Sequence, residues 1–343
     1  MEGIHGGDIY RNPVTMDFSV NINPLGMPDG VEEALQRAIG QSMKYPDIMA
    51  DELKTAISVM LSVPKEYLQL GNGASEIFMA IVHAIRPEKT LIPIPSFYGY
   101  EYAAKAVSGE IAYFPLKEEA EFMPDEELFD ALTEETDLLF LANPNNPTGT
   151  LMNRDYLNKL LERCKEKKIY VVLDECFIEF CGTECSALPW IEKYPNLLLV
   201  RAFTKIYAIP GVRLGYLICS NRSLLEKIRT QIPEWNLSVF AQEAGVVCAG
   251  KTAYLEKTVN YVKNEREFLA EGLKKLGFRV FPGEANFLLI HSEKPLYEKL
   301  LGKGILIRDC MNFKGLTKGY YRIAVKKRQD NEKLLKAIGE CIE

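Results

Sequence analysis

Short apolar runs of strand length recur along the middle of the chain and alternate with stretches of helical periodicity. Helical stretches lie between most of the runs, such as residues 155–167, where one face is apolar and the other is charged. Strands that alternate with helices are typical of a mostly parallel sheet with helices on both faces. The pattern therefore predicts an α/β fold, with strands over residues 90–94, 111–114, 138–142, 170–173, 197–200 and 214–219.

The two ends of the chain have different patterns. The first 30 residues are rich in Gly, Asn and Pro, which predicts an irregular arm that is either mobile or held by the alternating Phe18, Val20 and Ile22. Helices are predicted near residues 30–39, 49–61, 238–249 and 252–276. A smaller α+β domain follows, with strands near 279–281, 286–290, 305–307 and 321–325 and a last helix from residue 328. We expect an arm over 1–35 that joins the small domain, a large domain over 36–235 and a small domain over 236–343.

Polar residues follow three consecutive predicted strands of the large domain. Asn146 lies in a turn-rich segment (residues 143–149) after the third strand, Asp174 and Glu175 follow the fourth, and Lys205 follows the fifth. In sheets of this kind, ligands bind beyond the carboxyl ends of the strands. We therefore expect these polar residues to meet at one ligand site.

Lys205 lies between two apolar runs, in a segment that also contains Thr204 and Arg213. A lysine in an apolar setting has a lowered pKa, because burial penalises its charged form, and the neutral amine can act as a nucleophile. A hydroxyl and a guanidinium beside that amine suit an anionic phosphate. These residues predict a lysine that binds the aldehyde of pyridoxal 5′-phosphate. The alternative is a surface lysine in a loop between two strands.

This cofactor also needs a carboxylate against its pyridine nitrogen and a contact on its ring face. Asp174 is the candidate carboxylate, and a helix cap is the alternative reading of it. Phe97 is the candidate for the ring contact, with ordinary core packing as the alternative. Asn146 can donate to the phenolic oxygen of the ring, although asparagine in such turns is common without a ligand.

The phosphate of the cofactor needs hydrogen-bond donors. Gly73, Ala74 and Ser75 stand at the start of a predicted apolar helix. Backbone N–H groups at a helix N-terminus bind phosphate readily, so we assign these three residues to the phosphate, together with Thr204 and Arg213. The alternative for Ser75 is a simple N-cap.

Composition narrows the classes of function. The net charge of -6 and the pI of about 5.5 disfavour nucleic acid as a partner. No signal-peptide pattern or membrane-length apolar run is found, so we expect no membrane association and a cytoplasmic location. The eight cysteines are scattered, which is typical of reduced thiols. Cys181 and Cys185 have a spacing that could suggest metal, but with three histidines in the chain we expect no metal site.

Three motifs together carry a resemblance to a known family. They are Asn-Pro-Asn-Asn-Pro-Thr-Gly at residues 143–149, Asp-Glu at 174–175, and Thr-Lys at 204–205 followed by Gly-x-Arg-x-Gly-Tyr at 211–216. With these motifs in this order, the chain resembles the class I and II aminotransferases of fold type I over nearly its whole length. The resemblance implies a large domain with a mostly parallel seven-stranded sheet between helices, a smaller α+β domain and pyridoxal 5′-phosphate as cofactor.

The resemblance also implies roles for individual residues. Lys205 would be the Schiff-base lysine, Asp174 the partner of the pyridine nitrogen and Asn146 the donor to the ring oxygen. Arg322 would bind the α-carboxylate of the substrate. Tyr45 would reach the cofactor phosphate of the other subunit, which implies a homodimer with the active site at the subunit interface.

Within the family, the chain is most similar to the threonine-phosphate decarboxylases and next to the histidinol-phosphate aminotransferases. The segments at residues 5–9, 17–26 and 204–211 resemble the decarboxylases. Phe177 does too, because aminotransferases usually have a tyrosine there. Ala202 departs from both groups, in which a serine commonly helps to hold the cofactor phosphate.

This closer resemblance implies a small phosphorylated amino acid as substrate. Arg308 and Arg322 would grip its anionic groups, with His5, Asn21 and Asn23 closing over the phosphate. The leading expectation is decarboxylation of O-phosphothreonine to (R)-1-aminopropan-2-yl phosphate for cobalamin biosynthesis. Alternatives are a decarboxylase of O-phosphoserine, a histidinol-phosphate-type aminotransferase, ordinary ion pairs for the two arginines and a loose arm for His5. The intact lysine, aspartate and arginines disfavour a regulatory protein on the same fold.

Overall fold

The computed structural model describes residues 5–107 and 109–342. Its strands are β1 (Met16–Asp17), β2 (Leu68–Gly71), β3 (Lys89–Ile94), β4 (Glu110–Pro115), β5 (Leu138–Ala142), β6 (Tyr170–Asp174), β7 (Leu197–Ala202), β8 (Gly215–Ile218), β9 (Arg279–Val280), β10 (Phe287–His291), β11 (Ile305–Leu306), β12 (Arg308–Asp309) and β13 (Tyr320–Ala324). Its helices are α1 (Val31–Gln41), α2 (Asp51–Leu61), α3 (Ala74–Ile85), α4 (Tyr98–Ala104), α5 (Glu127–Ala131), α6 (Arg154–Glu166), α7 (Phe203–Ile206), α8 (Arg222–Arg229), α9 (Val239–Ala249), α10 (Thr252–Lys275), α11 (Leu296–Leu301) and α12 (Arg328–Ile342).

The large sheet has seven strands in the order β2, β8, β7, β6, β5, β3, β4. Every pairing from β7 across to β4 is parallel, whereas β8 runs antiparallel to both of its neighbours. Side chains alternate between the two faces of each strand: Leu139 and Leu141 pack with α2, α6 and α9, and Leu138 and Phe140 pack with α3, α4 and α8. The α/β fold with a mostly parallel sheet between helices is confirmed.

A smaller antiparallel sheet has the strand order β12, β13, β10, β9 and packs against α10 and α12. The N-terminal arm is held against this part of the chain. Strand β1 pairs in parallel with β11, and the N–H of Ala324 donates to the carbonyl oxygen of Phe18 at 2.9 Å. These contacts fix the residues that follow Phe18 next to the large sheet.

Some elements differ from the predicted ones. The sequence analysis did not predict β2, whose four residues are fully buried at the edge of the large sheet beside β8. Strand β11 pairs with β1 and not with the small sheet. The alternating residues 18–22 are not a strand, because the Asp17 carboxylate accepts hydrogen bonds from the N–H and O–H of Ser19 and turns the chain there.

Within the part of the chain that the structure describes, no helix has the length and apolar composition that a bilayer crossing needs.

Candidate active site

A cavity of about 350 Å³ lies where β6 and β7 end, between the large sheet, the small sheet and the arm. It brings together most of the residues that the sequence assigned to a site. Those that line it are His5, Asn21, Ala74, Ser75, Phe97, Asn146, Asp174, Thr204, Lys205, Arg213, Arg308 and Arg322. Gly73 and Tyr45 lie outside the lining, and both positions are considered below.

Lys205 lies on the single turn α7, directly after β7. Burial lowers the pKa of its amine to about 8, and the positive charges of Arg322 and Arg213 act in the same direction. The turn is held from behind by Asn23, whose N–H donates to the Lys205 carbonyl at 3.1 Å and whose amide donates to the Ile206 carbonyl at 2.7 Å. The amine is thus partly neutral near pH 7 and suited to react with an aldehyde. Asn23, expected over the substrate phosphate, instead anchors the lysine turn.

Asp174 is the last residue of β6, and its carboxylate has a donor on each oxygen. The N–H of Cys176 donates to Oδ1 at 2.8 Å, and the phenol of Tyr100 donates to Oδ2 at 2.5 Å. Burial raises the pKa of Asp174, and the hydrogen bonds from Cys176 and Tyr100 oppose that shift. A buried carboxylate at the wall of a cavity is stabilised by a positively charged partner, such as a protonated pyridine nitrogen.

The N-terminus of α3 forms a cradle for an anion. Gly73 has φ +79°, and a Cβ at this position would overlap with the guanidinium of Arg213. Arg213 itself has φ 61°, in the left-handed region that costs a non-glycine residue roughly 1–2 kcal/mol. Ser75 and Thr204 line the cavity beside this guanidinium. Gly73 therefore contributes by leaving space for Arg213, and the arrangement fits a phosphate group.

Ala202 also lines the cavity, at the end of β7, and is buried. Its methyl group cannot donate a hydrogen bond to a phosphate. Other groups of the lining can donate: the hydroxyls of Ser75 and Thr204, the Arg213 guanidinium and the backbone N–H groups at the start of α3.

Asn146 connects the large sheet to Arg322. Its Oδ1 accepts a hydrogen bond from Nη1 of Arg322 at 2.5 Å. The group that Asn146 can offer to the cavity is therefore its amide N–H. An N–H group is what a hydrogen bond to the phenolic oxygen of pyridoxal 5′-phosphate requires.

Arg308 and Arg322 face each other on the adjacent strands β12 and β13, where their Cα atoms are paired in the register. Arg308 donates to the carbonyl of Asp309 and to Oδ1 of Asn312, and Nη2 of Arg322 donates to the carbonyl of Ser19 at 2.8 Å. Among the described residues, the hydrogen bonds of both guanidiniums go to amide and carbonyl oxygens and not to carboxylates. Like charges directly opposite in a sheet are destabilising, so this pair favours an anionic ligand.

The arm closes the other side of the cavity. The ring of His5 lies at the mouth, with its centroid 6.3 Å from that of Phe97 and 6.0 Å from that of Tyr98. Asn21 is buried, and within the described chain its Oδ1 has no hydrogen-bond partner. A buried acceptor of this kind fits a ligand that donates to it, such as a protonated amine or a protonated phosphate oxygen.

Several lining residues were not predicted from the sequence: Ser19, Val20, Phe78, Tyr98, Cys176, Asn312 and Phe313. Asn312 and Phe313 come from the loop after β12, where Arg308 lies 5.2 Å from the Phe313 ring. The proximity of this loop to Arg308 in the sequence was the available signal. Cys176 could have been identified from its position between Asp174 and Phe177, which both face the cavity.

The family model of class I and II aminotransferases matches residues 13–338. The chain belongs to this family. The threonine-phosphate decarboxylase of Salmonella typhimurium is 36% identical over 346 residues, which cover 97% of this chain and 95% of the relative. The adenosylcobalamin biosynthesis bifunctional protein CobDQ of Leptospira interrogans is 34% identical and aligns with 97% of this chain and 40% of its own length. The solved structure of the histidinol-phosphate aminotransferase from Clostridium acetobutylicum is 36% identical, with a TM-score of 0.89, and covers 95% of this chain and 98% of that one.

Family membership confirms two predictions made from the motifs, the fold and pyridoxal 5′-phosphate as cofactor. The cavity fits this cofactor chemically. It combines a lysine of lowered pKa, a buried carboxylate and, at the start of α3, a set of donors that suits a phosphate, where a Cβ on Gly73 would overlap with Arg213. The chain is therefore a pyridoxal 5′-phosphate enzyme of the class I and II aminotransferase family.

Proposed function

We propose that this enzyme decarboxylates O-phosphothreonine to (R)-1-aminopropan-2-yl phosphate and carbon dioxide. The observation that carries the proposal is the Arg308 and Arg322 pair, two guanidiniums opposite each other at one cavity without carboxylate partners among the described residues. A substrate with both a carboxylate and a phosphate relieves their repulsion at both positions. O-Phosphothreonine carries these two groups on one small molecule.

The charges of the lining support a phosphorylated substrate. Arg213, Arg308, Arg322 and Lys205 are basic, and Asp174 is the one carboxylate among the described lining residues. Arg213 and the start of α3 suit the phosphate of the cofactor. Arg308 and Arg322 remain for the substrate. Two guanidiniums are more positive charge than a single carboxylate needs.

When bound, pyridoxal 5′-phosphate supplies a ring that accepts the electron pair released when a bond to the substrate α-carbon breaks. Asp174 would hold a proton on the ring nitrogen, and Phe97 would contact the ring face. Lys205 would bind the aldehyde and then move protons at the α-carbon. Arg308 and Arg322 would orient the substrate so that the bond to the carboxylate stands perpendicular to the ring.

Phe177 supports decarboxylation over transamination. It lines the cavity three residues after Asp174, and its ring packs edge-on against Phe287 with centroids 5.2 Å apart. Aminotransferases of this family usually have a tyrosine at this position, and its hydroxyl contacts the ring oxygen of the cofactor. With phenylalanine, Asn146 is left as the donor to that oxygen.

Incubation of the purified enzyme with O-phosphothreonine should release carbon dioxide and the phosphorylated aminopropanol in equal amounts. O-Phosphoserine should be a poorer substrate by about 10–200-fold in kcat/KM, the range expected for one methyl group. Carbon dioxide trapping together with mass spectrometry of the product measures both. No carbon dioxide release from either substrate across the stable pH range would rule out the proposal.

A histidinol-phosphate-type aminotransferase is the second candidate, because the similarity to the Clostridium acetobutylicum structure extends over nearly both chains. Such an enzyme consumes a 2-oxo acid as amino-group acceptor and releases no carbon dioxide. An assay of histidinol phosphate with 2-oxoglutarate therefore separates the two functions. The similarity to CobDQ supports the decarboxylase and a place for its product in cobalamin biosynthesis.

We also propose that the enzyme is a homodimer in which Tyr45 binds the cofactor phosphate of the partner subunit. Tyr45 is 82% exposed, lies outside its own cavity and contacts Trp235 with ring centroids 5.1 Å apart. The apolar side chains of Met43, Ile48 and Met49 are exposed on the same segment. Contiguous exposed apolar residues are typical of a surface that another protein covers.

We propose as well that the chain divides into an arm, a large domain and a small domain.

Tyr45→Phe should weaken cofactor binding by about tenfold, because a hydrogen bond to a charged phosphate is lost. Dissociation constants of apoenzyme and cofactor, with light scattering for the mass in solution, test this. Tyr102→Phe is the control, since Tyr102 is a partly exposed tyrosine of α4 outside the cavity lining. A monomeric mass, or unchanged affinity in the Tyr45 variant, would contradict the dimer site.

A further inference from the structure

Tyr100 is a buried tyrosine that touches Asp174 without lining the cavity. It lies on α4, three residues after Phe97, the extended residue that directly precedes this helix. Its hydroxyl donates to Oδ2 of Asp174 at 2.5 Å. One residue thus contacts both the candidate carboxylate for the ring nitrogen and the candidate contact for the ring face.

The ring of Tyr100 is fixed on three sides by aromatic side chains. It stacks on Phe140, with centroids 5.2 Å apart and planes 11° apart, and meets Phe78 edge-on at 5.2 Å. It also meets Phe97 edge-on at 5.6 Å. This packing leaves the hydroxyl little freedom, so the position of Oδ2 of Asp174 follows from the packing of the aromatic cluster.

The two oxygens of Asp174 are held by different parts of the chain. Oδ1 accepts the N–H of Cys176, which lies two residues after Asp174 in the sequence, whereas Oδ2 accepts from Tyr100 on α4. Two donors at separate oxygens fix the plane of a carboxylate, which one donor does not. Burial and the charge of Asp174 raise the pKa of Tyr100 well above its ordinary value, so the phenol stays protonated and remains a donor.

We propose that Tyr100 is a positioning residue that fixes the plane of the Asp174 carboxylate towards the ring nitrogen of the cofactor and sets how strongly that carboxylate attracts the ring proton. A carboxylate that already accepts one phenolic hydrogen bond is a weaker partner for a second proton than a carboxylate that accepts none. The inference rests on the proposed role of Asp174 and is independent of which substrate the enzyme uses.

Tyr100→Phe tests the inference, because it removes the hydroxyl and keeps the ring among Phe78, Phe97 and Phe140. The variant should bind the cofactor about tenfold more weakly, because the carboxylate loses one of the two donors that fix its plane, and this loss outweighs its stronger attraction for the ring proton. The ¹⁵N resonance of cofactor labelled at the ring nitrogen should shift relative to wild type. We expect kcat to fall about tenfold with little change in the KM of the substrate. Tyr102→Phe, on the same helix, should change none of these quantities.

A purely structural role for Tyr100 would lower the thermal stability of the apoenzyme and leave the ¹⁵N resonance of the bound cofactor in place, and this result would overturn the inference. Asp174→Asn serves as the reference variant. If Asp174→Asn shifts the resonance and Tyr100→Phe does not, Tyr100 has no positioning role. If neither variant shifts it, Asp174 is not the partner of the ring nitrogen, and both the proposed role of Asp174 and this inference fail.

Discussion

Replacing Lys205 with alanine should reduce turnover by at least about 10³-fold and remove the visible absorbance of the lysine-bound cofactor. The reason is the environment of the amine. Burial, with Arg322 and Arg213 nearby, lowers its pKa to about 8, which makes it both a nucleophile for the aldehyde and a proton carrier near neutral pH. The rate of product formation and the absorption spectrum of the variant with added cofactor measure the two effects.

Lys303→Ala is the matched control for Lys205→Ala. Lys303 forms an ion pair with Glu340 on the surface of the small domain, so its loss should leave turnover and absorbance unchanged. Pyridoxal 5′-phosphate should still bind to the Lys205 variant, held by the α3 cradle, but dialysis should remove it more readily. Full activity with unchanged absorbance in the Lys205 variant would mean that the covalent lysine lies elsewhere.

The sequence could predict the site residues that lie at the end of a strand or within a few residues of it. Lys205, Asp174 and Asn146 all come after regular apolar runs, and the carboxyl ends of neighbouring parallel strands meet at one edge of the sheet. Site residues from helices and loops were harder to predict from the sequence. Tyr100 reaches Asp174 only because α4 packs over β5, and this packing is a tertiary contact that periodicity does not encode.

Asn21 and Asn23 illustrate why an alternating pattern was not enough. In a strand, residues two apart share a face, so an alternating segment would direct both asparagines to the same side. The chain turns at Ser19 instead, and the two side chains diverge. Asn21 lines the cavity, while Asn23 donates to the lysine turn and to Thr258.

Asp174 and Glu175 show the opposite case, in which strand geometry decides the outcome. Consecutive residues at a strand end point in opposite directions, and Glu175 is directed away from the cavity. Its Oε2 accepts two hydrogen bonds from Arg201, at 3.0 and 2.8 Å, and its Oε1 accepts the N–H of Ala187. Glu175 therefore joins the ends of β6 and β7 in the core, and Asp174 remains for the ligand.

Arg322→Gln should lower kcat/KM for O-phosphothreonine by roughly 10²–10³-fold, because removing one partner of a buried charged contact costs about 2–5 kcal/mol. Burial and the nearby Arg308 lower the pKa of Arg322 to about 10, so the guanidinium is still charged at pH 7. Glutamine keeps a donor for Asn146 but cannot pair with an anion. Steady-state kinetics of the variant measure the loss.

The same variant should be as stable as the wild-type apoenzyme or more stable, which separates a role in binding from a role in folding. Arg322 is buried opposite Arg308, and within the described chain its Nε has no hydrogen-bond partner, so removing its charge relieves repulsion and a desolvation cost. Thermal unfolding of the apoenzyme measures this. Arg222→Gln, at an arginine that is 66% exposed and paired with Glu66, should change neither activity nor stability. If activity and stability fall together in Arg322→Gln, the arginine holds the fold and the substrate carboxylate binds elsewhere.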